Sequence, residues 1–322
     1  MTVDTLAQDA ARLGPLFIVI NAASGHHEEG DVKAALTGVF TESGRDFEFL
    51  EVADPAQLLA QASRAVALAK AHRGVVVAAG GDGTINTVAS AVLGSGCPFG
   101  VLPQGTFNYF ARSHAIPQDT LAAAQALLRA SISPVQVGRV NGRLFLVNAS
   151  LGLYPRLLED REAWKQQFGR SRLVAFAAGL ASVFQARGQL DLQIETAGQA
   201  AALRTPTLFV GNNHLQLARA GIAEKDANAV QQGRLAGIVL RPIGTLALFG
   251  LLLRGVLGRL GDADNVHSFS FQRMRVMPRR RRRIKVATDG EVGWMPTPLV
   301  FEVAAERLML LVPAQADRAE VA

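Results

Sequence analysis

Four short runs with the pattern of β-strands, separated by helical patterns, recur through the first hundred residues, and they restrict the fold more than any other feature of the sequence. The runs cover residues 17–20, 47–52, 75–79 and 99–102, and the helical patterns cover residues 31–40, 55–72 and 85–93. The run at 75–79 is apolar on both faces, as a strand inside a parallel sheet is. This alternation predicts an α/β domain built on a doubly wound parallel sheet.

Beyond about residue 130 the pattern changes to short alternating runs, which are typical of an antiparallel sheet or sandwich. These runs cover residues 135–140, 144–149, 190–196, 207–210, 235–240, 268–274 and 283–287. Two helical stretches, residues 164–185 and 244–260, lie among them. We therefore predict an α/β domain over residues 1–130 and a β-rich domain over residues 131–304, with residues 305–322 packing back on the first.

Composition excludes several classes of protein. Hydrophobic residues make up 49% of the 322-residue chain and charged residues 19%, which excludes a disordered chain. A single cysteine, Cys97, excludes a disulfide framework and a cysteine-rich zinc module. Two uncharged runs, 14 residues at 173–186 and 12 residues at 242–253, are shorter than the roughly 18 residues of a transmembrane helix. Since no signal-peptide pattern opens the sequence, we expect a cytoplasmic protein.

The excess of positive charge is confined to one segment. The chain carries a net charge of +6, and residues 273–285 contain eight basic residues and no acidic one. Five of these basic residues are consecutive: Arg279, Arg280, Arg281, Arg282 and Arg283. Because no aromatic residue interleaves the cations to stack on bases, we expect an anionic membrane surface as the partner and no nucleic acid. A solvated loop without a partner is the alternative.

Three polar, glycine-containing loops follow predicted strands, at residues 21–25, 80–84 and 105–108. Ligands of open α/β sheets bind at the carboxyl ends of the strands, where all three loops fall. Glycine permits close approach of the backbone, and the amides at a helix N-terminus attract anions. One such loop is usually only a tight turn, whereas three on one sheet edge indicate a ligand rich in phosphate.

Two acidic elements are candidates for catalysis. Asp82 lies inside the second loop, where a carboxylate would repel a phosphate unless a cation such as Mg²⁺ bridges the two. Its alternative role is a turn residue or the N-cap of the following helix. The second element, Asp289-Gly290-Glu291, follows a predicted strand, and on its own an Asp-Gly pair indicates a β-hairpin.

The order of these motifs resembles the catalytic domain of the diacylglycerol kinase family, which also contains sphingosine, ceramide and bacterial lipid kinases. Residues 80–84 match the Gly-Gly-Asp-Gly-Thr motif of that family without change, and residues 289–291 match its Asp-Gly-Glu element. Residues 105–112 are similar to its Gly-Thr-x-Asn-Asp-Phe-Ala-Arg stretch, and residues 21–25 to its Asn-Pro-x-Ser-Gly loop. The likeness covers nearly the whole chain, and it implies phosphate transfer from ATP to a lipid hydroxyl, with diacylglycerol as the expected acceptor.

The resemblance also implies roles for the matching residues, with ATP in a cleft between the two domains. The residues expected to bind the nucleotide are Asn21, Ser24, Gly25, Gly80, Gly81, Asp82, Gly83, Thr84, Asn86, Gly105, Thr106 and Asn108. Asp82 and Asp289 are expected to bind Mg²⁺. Together with Glu291 they form the expected catalytic set, with the base assigned to the element at 289–291. Tyr109 and Arg112 are expected to contact the lipid.

Two departures from the family pattern bear on substrate and metal. Tyr109 stands where the family often has an aspartate that touches the acceptor, so the choice between diacylglycerol, ceramide and a sphingoid base stays open. Gln232 and Arg234 occupy the region where some bacterial members bind a second Mg²⁺. Since a cation there would meet Arg234, we predict that this second metal is absent.

Two other functions compete with a lipid kinase. An enzyme similar to NAD kinases would need a polar pocket in the second domain, whereas the uncharged runs at 173–186 and 242–253 favour a site for acyl chains. A non-catalytic lipid-binding protein would have no use for Asp82, Asp289 and Glu291 beside phosphate, because burying unpaired carboxylates is unfavourable. The sequence leaves a homodimer open.

Overall fold

A computed structural model of the chain describes residues 13–21, 29–153, 155, 189–241 and 266–319. The chain divides into two units, one of Met1–Gln136 and Ala305–Ala322, the other of Val137–Ala304. The predicted helices at 164–185 and 244–260 and the two uncharged runs that overlap them, at 173–186 and 242–253, lie outside the described residues. Within the described ranges, no helix combines the length and hydropathy needed to cross a bilayer.

The first unit contains one six-stranded sheet. Its strands are β1 (Leu16–Asn21), β2 (Phe47–Val52), β3 (Val75–Gly80), β4 (Phe99–Pro103), β5 (Ser131–Val135) and the C-terminal β18 (Leu308–Val312). Its helices are α1 (Glu29–Glu42), α2 (Leu58–His72), α3 (Asp82–Val92), α4 (Tyr109–Ser113) and α5 (Thr120–Leu128). The strand order is β2-β1-β3-β4-β18-β5, parallel from β2 to β18 and antiparallel between β18 and β5.

The strand order makes the sheet doubly wound. From β1 the chain moves outward to β2, then returns past β1 to β3 and continues to β4. Right-handed crossovers therefore place α1 on one face and α2 with α3 on the other. Accordingly, α1 packs against α5 and α2 packs against α3. The predicted α/β fold class is confirmed, and the direction of winding reverses between β1 and β3.

Local sequence signals set the ends of α2 and the burial of β3. The Asp54 side chain accepts a hydrogen bond from the Ala56 amide just before the helix, and Arg73 ends it in a left-handed conformation. All six residues of β3 are buried, as expected of a central parallel strand. The helix buries only alanines among its described residues, which brings its backbone close to the sheet.

The second unit is a β-sandwich. Its strands are β6 (Gly138–Val140), β7 (Arg143–Phe145), β8 (Asn148–Gly152), β9 (Leu190–Thr196), β10 (Gln199–Thr205), β11 (Thr207–Gly211), β12 (Leu235–Leu240), β13 (Val266–Phe271), β14 (Arg273–Pro278), β15 (Arg283–Thr288), β16 (Glu291–Pro296) and β17 (Leu299–Val303). Its described helices are α6 (His214–Arg219) and α7 (Glu224–Gln231).

These strands form two six-stranded antiparallel sheets, with orders β10-β9-β14-β17-β6-β7 and β13-β12-β11-β8-β15-β16. Phe145 and Phe301 from the first sheet share one buried cluster with Leu151 and Leu208 from the second. The two sheets therefore pack face to face around a common core. The predicted β-rich, sandwich-like class is confirmed.

Three predicted strands are wrong, because each of these runs covers parts of two strands that belong to different sheets. The run at 135–140 covers the last residue of β5 in one sheet and the whole of β6 in another. The run at 268–274 covers parts of β13 and β14. The run at 144–149 likewise divides into β7 and β8. Side chains alternate with the same period on either side of such a break, so the pattern alone does not reveal it.

The sequence analysis also missed β10, β16 and β17. In β10 the residues 199–202 are all exposed, since it is an edge strand, and the alternation that marks a half-buried strand is lacking. The strand β16 is likewise an edge strand, with Glu291 and Pro296 at its two exposed ends. Edge strands of this kind carry little hydrophobic pattern.

Candidate active site

The loop that follows β3 turns directly into α3 beside the end of β1. Asn21, the last residue of β1, donates a hydrogen bond from Nδ2 to Oγ1 of Thr84 at 3.2 Å. A Cβ atom on Gly80 would lie 2.7 Å from the Cβ of Thr84, so a larger residue does not fit there. The turn thus occupies the point where winding reverses, the usual ligand position in such sheets. Ser24 and Gly25, from the same predicted site, lie outside the described residues.

Asp82 is the first residue of α3 and is half-buried. The N-cap of this helix is Gly81, in an extended conformation, and no side chain caps the helix. The alternative role of Asp82 as an N-cap is therefore wrong. Its Oδ2 instead accepts a hydrogen bond from the backbone amide of Asn108 at 3.0 Å. A carboxylate in the first turn also interacts favourably with the helix dipole.

Asn108 organises the loop after β4. It is 2% exposed and adopts a left-handed conformation with φ +47°, which asparagine tolerates better than most residues. Its Oδ1 accepts from the Gly105 amide at 3.0 Å, and its Nδ2 donates to the Gly105 carbonyl at 2.8 Å. Nδ2 also lies 3.2 Å from Oε1 of Gln118, a residue that the sequence analysis missed. The loop is thus closed on itself by one side chain.

The loops after β3 and β4 are in direct backbone contact. The Gln104 amide donates to the Gly80 carbonyl at 2.9 Å. A Cβ on Gly105 would lie 2.9 Å from the Cα of Gly81, which excludes any side chain at this position. Together with the bond between Asp82 and Asn108, these contacts fix the two loops as one rigid element.

The remaining predicted residues of this unit surround that element. Asn86 is half-buried in α3, and Thr106 is exposed. The ring of Tyr109 stacks on Phe107 with a centroid distance of 5.7 Å and an interplanar angle of 4°. Nε of Arg112 donates to the Phe107 carbonyl at 2.8 Å, so this cation is tied to the loop. Phe107 is 45% exposed, which leaves an apolar surface beside the two loops.

The acidic element of the second unit is a tight hairpin between β15 and β16. Asp289 and Gly290 have φ values of +47° and +92°, as in a type I′ turn, so the hairpin interpretation of this pair is confirmed. The Asp289 carboxylate accepts hydrogen bonds from three successive backbone amides. The donors are Leu146 at 2.6 Å, Val147 at 2.9 Å and Asn148 at 2.9 Å. These bonds fix the carboxylate in place.

Glu291 has different surroundings from Asp289. Its side chain is 61% exposed and forms an ion pair with Nη2 of Arg143 at 2.7 Å. An exposed pair of this kind contributes about 0–1 kcal/mol to stability. The two acids of the hairpin therefore differ, since one is held by the backbone and the other lies at the surface.

A polar interior adjoins the hairpin on β8, which the sequence analysis missed. Asn148 and Ser150 are buried and lie two residues apart, on the same face of the strand. Nδ2 of Asn148 lies 3.1 Å from Oε1 of Gln216. Within the described part of the chain, Oδ1 of Asn148 and Oγ of Ser150 have no hydrogen-bond partner. The only sequence feature that could have predicted these buried residues is the presence of two polar side chains in an otherwise apolar run.

No group of three or more His, Cys, Asp or Glu side chains is placed to hold a metal among the residues that the structure describes. Mg²⁺ in phosphate-transferring enzymes takes only one or two protein carboxylates, with the remaining ligands from phosphate and water. Asp82 can supply one such carboxylate, since it lies in the first turn of α3, whose N-terminal end is the expected position of the phosphates. In the region of the second metal, Arg234 donates to Oγ and the carbonyl of Ser270 at 3.0 and 2.7 Å.

The five consecutive arginines connect β14 to β15 and begin the latter. We call this segment the arginine turn: Arg279, Arg280, Arg281, Arg282 and Arg283. Its backbone is tied on both sides, because the Arg279 amide donates to the Asp191 carbonyl at 2.8 Å and Thr297 donates to the carbonyls of Arg281 and Arg282 at 2.6 and 3.0 Å. All five arginines are exposed. The turn is thus a fixed cluster of cations.

The eight basic residues of this segment differ in their partners. Arg273 and Arg275 pair across the sheet with Glu302 and Glu195 at 3.5 and 3.6 Å, and Lys285 lies over the ring of Trp294. In contrast, no side chain of the arginine turn has an acidic partner within the described ranges. An open groove of about 1070 Å³ adjoins the turn, lined by Arg204, Asp191, Ala200, Ala201 and Ala202 on its other side.

Comparisons with known proteins agree with these features. Residues 15–140 match the family model of the diacylglycerol kinase catalytic domain. A diacylglycerol kinase of Bacillus subtilis (strain 168) is 43% identical over 86 residues, 26% of this chain and 28% of the relative. A probable lipid kinase YegS-like protein of Klebsiella pneumoniae (strain 342) is 43% identical over 77 residues, 23% of this chain and 26% of the relative.

The alignments thus span about a quarter of the length of these two relatives. Structural similarity extends further. A crystal structure of a diacylglycerol kinase from Bacillus anthracis (strain Sterne) matches with a TM-score of 0.68 at 18% identity, covering 95% of this chain and 98% of that one. At this identity the match establishes the fold in both units.

Proposed function

We propose that the chain is an ATP-dependent lipid kinase that transfers the γ-phosphate to a lipid hydroxyl, because residues 15–140 match the family model of the diacylglycerol kinase catalytic domain. The resemblance inferred from the loop motifs is confirmed by the family match. The acceptor that we propose is diacylglycerol, with ceramide or a sphingoid base as the alternative. One observation carries the proposal: the rigid element formed by the loops after β3 and β4, with Asp82 at its centre.

The first unit supports nucleotide binding through its backbone. Two glycine positions, Gly80 and Gly105, have no space for a side chain because neighbouring protein atoms fill it, so glycine there lets the two loops pack directly against each other beside the helix N-terminus. The amides at the start of α3 point toward an anion at the helix N-terminus. Transfer of a phosphoryl group depends mainly on alignment and charge neutralisation, which fixed loops provide.

Asp82 is the proposed ligand of Mg²⁺, and Asp289 is the proposed second carboxylate. When bound, the ion would neutralise the charge of the phosphates being transferred. The bond from the Asn108 amide to Oδ2 of Asp82 keeps this carboxylate in one orientation. Three amide bonds do the same for Asp289, so neither acid needs to reorganise before it binds a cation.

Glu291 is the proposed group that orients the acceptor hydroxyl and receives its proton. An alcohol keeps its proton until the transition state, so the carboxylate acts as a late base that mainly orients the nucleophile. The exposed side chain of Glu291 supports this assignment over Asp289, whose oxygens bind the backbone. Tyr109 and Arg112, tied to the exposed Phe107, are the proposed contacts to the lipid.

We propose that the arginine turn attaches the enzyme peripherally to an anionic membrane from the cytoplasmic side. Five fixed cations without acidic partners among the described residues support an anionic surface as the counterpart. A lipid acceptor lies in such a surface, so attachment raises the concentration of substrate near the enzyme.

The direct test is an assay with γ-labelled ATP and Mg²⁺ against diacylglycerol, ceramide, sphingosine and NAD in mixed micelles. We expect label in the diacylglycerol product and none in NAD. Label in ceramide or sphingosine instead would support a lipid kinase with that lipid as the acceptor. Label in NAD alone would contradict the proposal. It would also be contradicted if no acceptor were labelled and the Asp82→Asn variant bound ATP as well as the unaltered protein does.

A further inference from the structure

The outer side of the hairpin β15–β16 carries an exposed tryptophan beside the arginine turn. Trp294 is 56% exposed, although tryptophan is a residue that folded proteins usually bury in large part. Within the described part of the second unit it is the one large hydrophobic side chain with this exposure. A tryptophan with this exposure offers a large apolar contact surface with a polar N–H group to a partner.

The register of the hairpin places four residues on one face. Arg283 pairs with Pro296 and Lys285 pairs with Trp294, and directly opposed residues of an antiparallel pair point to the same side. We call this side the tryptophan face: Arg283, Lys285, Trp294 and Pro296. The residues between them, such as Ile284 and Met295, point to the opposite side and are buried in the sandwich core. The face is therefore held rigidly by the packing beneath it.

The tryptophan face combines an amphipathic ring with cations. The Nζ atom of Lys285 lies 5.5 Å from the centroid of the Trp294 ring, in a cation–π contact. The face includes Arg283, the last residue of the arginine turn, so the tryptophan face and the arginine turn meet at this residue. A tryptophan flanked by basic residues is the arrangement that protein surfaces use at the headgroup level of a bilayer.

We propose that the tryptophan face is a membrane contact, in which Trp294 inserts into the headgroup region of an anionic bilayer while the arginine turn binds lipid phosphates. This inference rests on the membrane attachment proposed above and assigns it a second, apolar component. Insertion buries part of the exposed indole, and Lys285 with Arg283 remains at the level of the charged headgroups.

A second copy of this chain is the competing occupant, because β16 is an edge strand with unpaired backbone groups. The composition of the edge argues against it. Pro296 removes one backbone donor from the edge, whereas an anionic bilayer offers opposite charge to the arginine turn and an apolar layer to Trp294 together.

Fluorescence of Trp294 provides the test, since the chain has only two tryptophans. The variant Trp164→Phe makes Trp294 the sole reporter. Vesicles of phosphatidylcholine and phosphatidylglycerol should shift its emission to shorter wavelength, and brominated acyl chains should quench it. Pure phosphatidylcholine vesicles should do neither. In a separate variant, Trp294→Ala should weaken vesicle binding about threefold to tenfold, as expected for partial burial of one large side chain.

The outcomes separate this inference from the proposals before it. Sedimentation of the protein with anionic vesicles without any change in Trp294 emission would overturn the inference and leave attachment through the arginine turn standing. A complete lack of vesicle binding would overturn both, whereas activity toward micellar diacylglycerol would still support the kinase. A concentration-dependent emission shift without lipid, together with a dimer in sedimentation velocity, would overturn it in favour of self-association.

Discussion

The backbone amide of Asn108 donates a hydrogen bond to Oδ2 of Asp82 across 26 residues of sequence, at 3.0 Å. This bond joins the loop after β4 to the first turn of α3, and it places an amide donor on the carboxylate that we propose as the Mg²⁺ ligand. The orientation of Asp82 therefore depends on the conformation of a different loop. That dependence can be tested from either end of the bond.

Asn108→Ala should lower the free energy of unfolding by roughly 2–4 kcal/mol, because a buried side chain with several hydrogen bonds is lost and alanine is strained at φ +47°. Urea unfolding measures the change. Asn108→Gly is the matched control, since glycine adopts this conformation without strain and should lose about 1 kcal/mol less. Equal losses in both variants would show that strain contributes nothing here.

Asp82→Asn should nearly abolish phosphate transfer and leave the fold intact, because the amide oxygen still accepts from Asn108 but carries no charge for Mg²⁺. Labelled product and the thermal midpoint are the two measurements. Asp119→Asn is the control: Asp119 caps α5 through the Ala122 amide, so asparagine there should preserve both the cap and the activity. Near-normal turnover in Asp82→Asn would remove its assigned role.

Asp289→Asn and Glu291→Gln should separate structure from catalysis in the hairpin. Asp289→Asn places an amide group against backbone N–H donors and should cost roughly 1–3 kcal/mol of stability. Glu291→Gln breaks one exposed ion pair and should cost less than about 1 kcal/mol while lowering turnover strongly. Arg143→Gln breaks the same pair, so an equal loss of activity in that variant would argue against Glu291 as the base.

Stability of the first unit should fall as the pH decreases from about 6.5 to about 4. Burial lowers the pKa of His114 from 6.5 to about 4, and the half-buried ring packs edge-on against Phe110. The neutral form is thus favoured by folding, and its contribution is complete above pH 6.5 and is lost as the pH falls toward 4. Thermal midpoints across this range should show a smaller slope in His114→Gln. An unchanged slope would assign the pH dependence to other groups.

Replacing Arg280, Arg281 and Arg282 by glutamine should weaken binding to anionic vesicles about a hundredfold at low salt, because each basic residue near the surface contributes about 1 kcal/mol. Vesicle sedimentation measures this loss. The control changes Arg273 and Arg275, which already pair with Glu302 and Glu195 and should matter little. A similar loss in both variants would mean that net charge, rather than the arginine turn, attracts the membrane. High salt should remove the difference.

The sequence predicted the strands β1, β3 and β4 well, because their runs are almost wholly apolar and each is followed by a polar, glycine-containing loop. It failed where one run crosses from one sheet to another, as at Gln136 and Gln272. Side-chain alternation reports burial on a face, and it carries no information about which neighbouring strand provides that face. The edge strand β10 lacked even this signal.

At the candidate site, motif positions gave the candidate residues but not the contacts that hold them. The role of Asn108 in closing its loop depends on a left-handed backbone conformation. Its contact with Gln118 depends on how the chain turns over the ten residues between them. Likewise, the three amides that hold Asp289 come from residues more than 140 positions earlier. Such long-range backbone contacts leave no trace in local spacing. The placement of ATP between the two domains stays a prediction.

The hairpin β15–β16 carries positive charge at one end, where Arg283 closes the arginine turn, and negative charge at the other, at Asp289 and Glu291. An anionic bilayer exerts a torque on such a dipole, pulling one end down and pushing the other away. Attachment as proposed would therefore favour a single orientation of the protein. Trp294 and Glu291 are three residues apart on β16, about 10 Å of extended chain, so insertion of Trp294 would hold Glu291 within about that distance of the headgroup region.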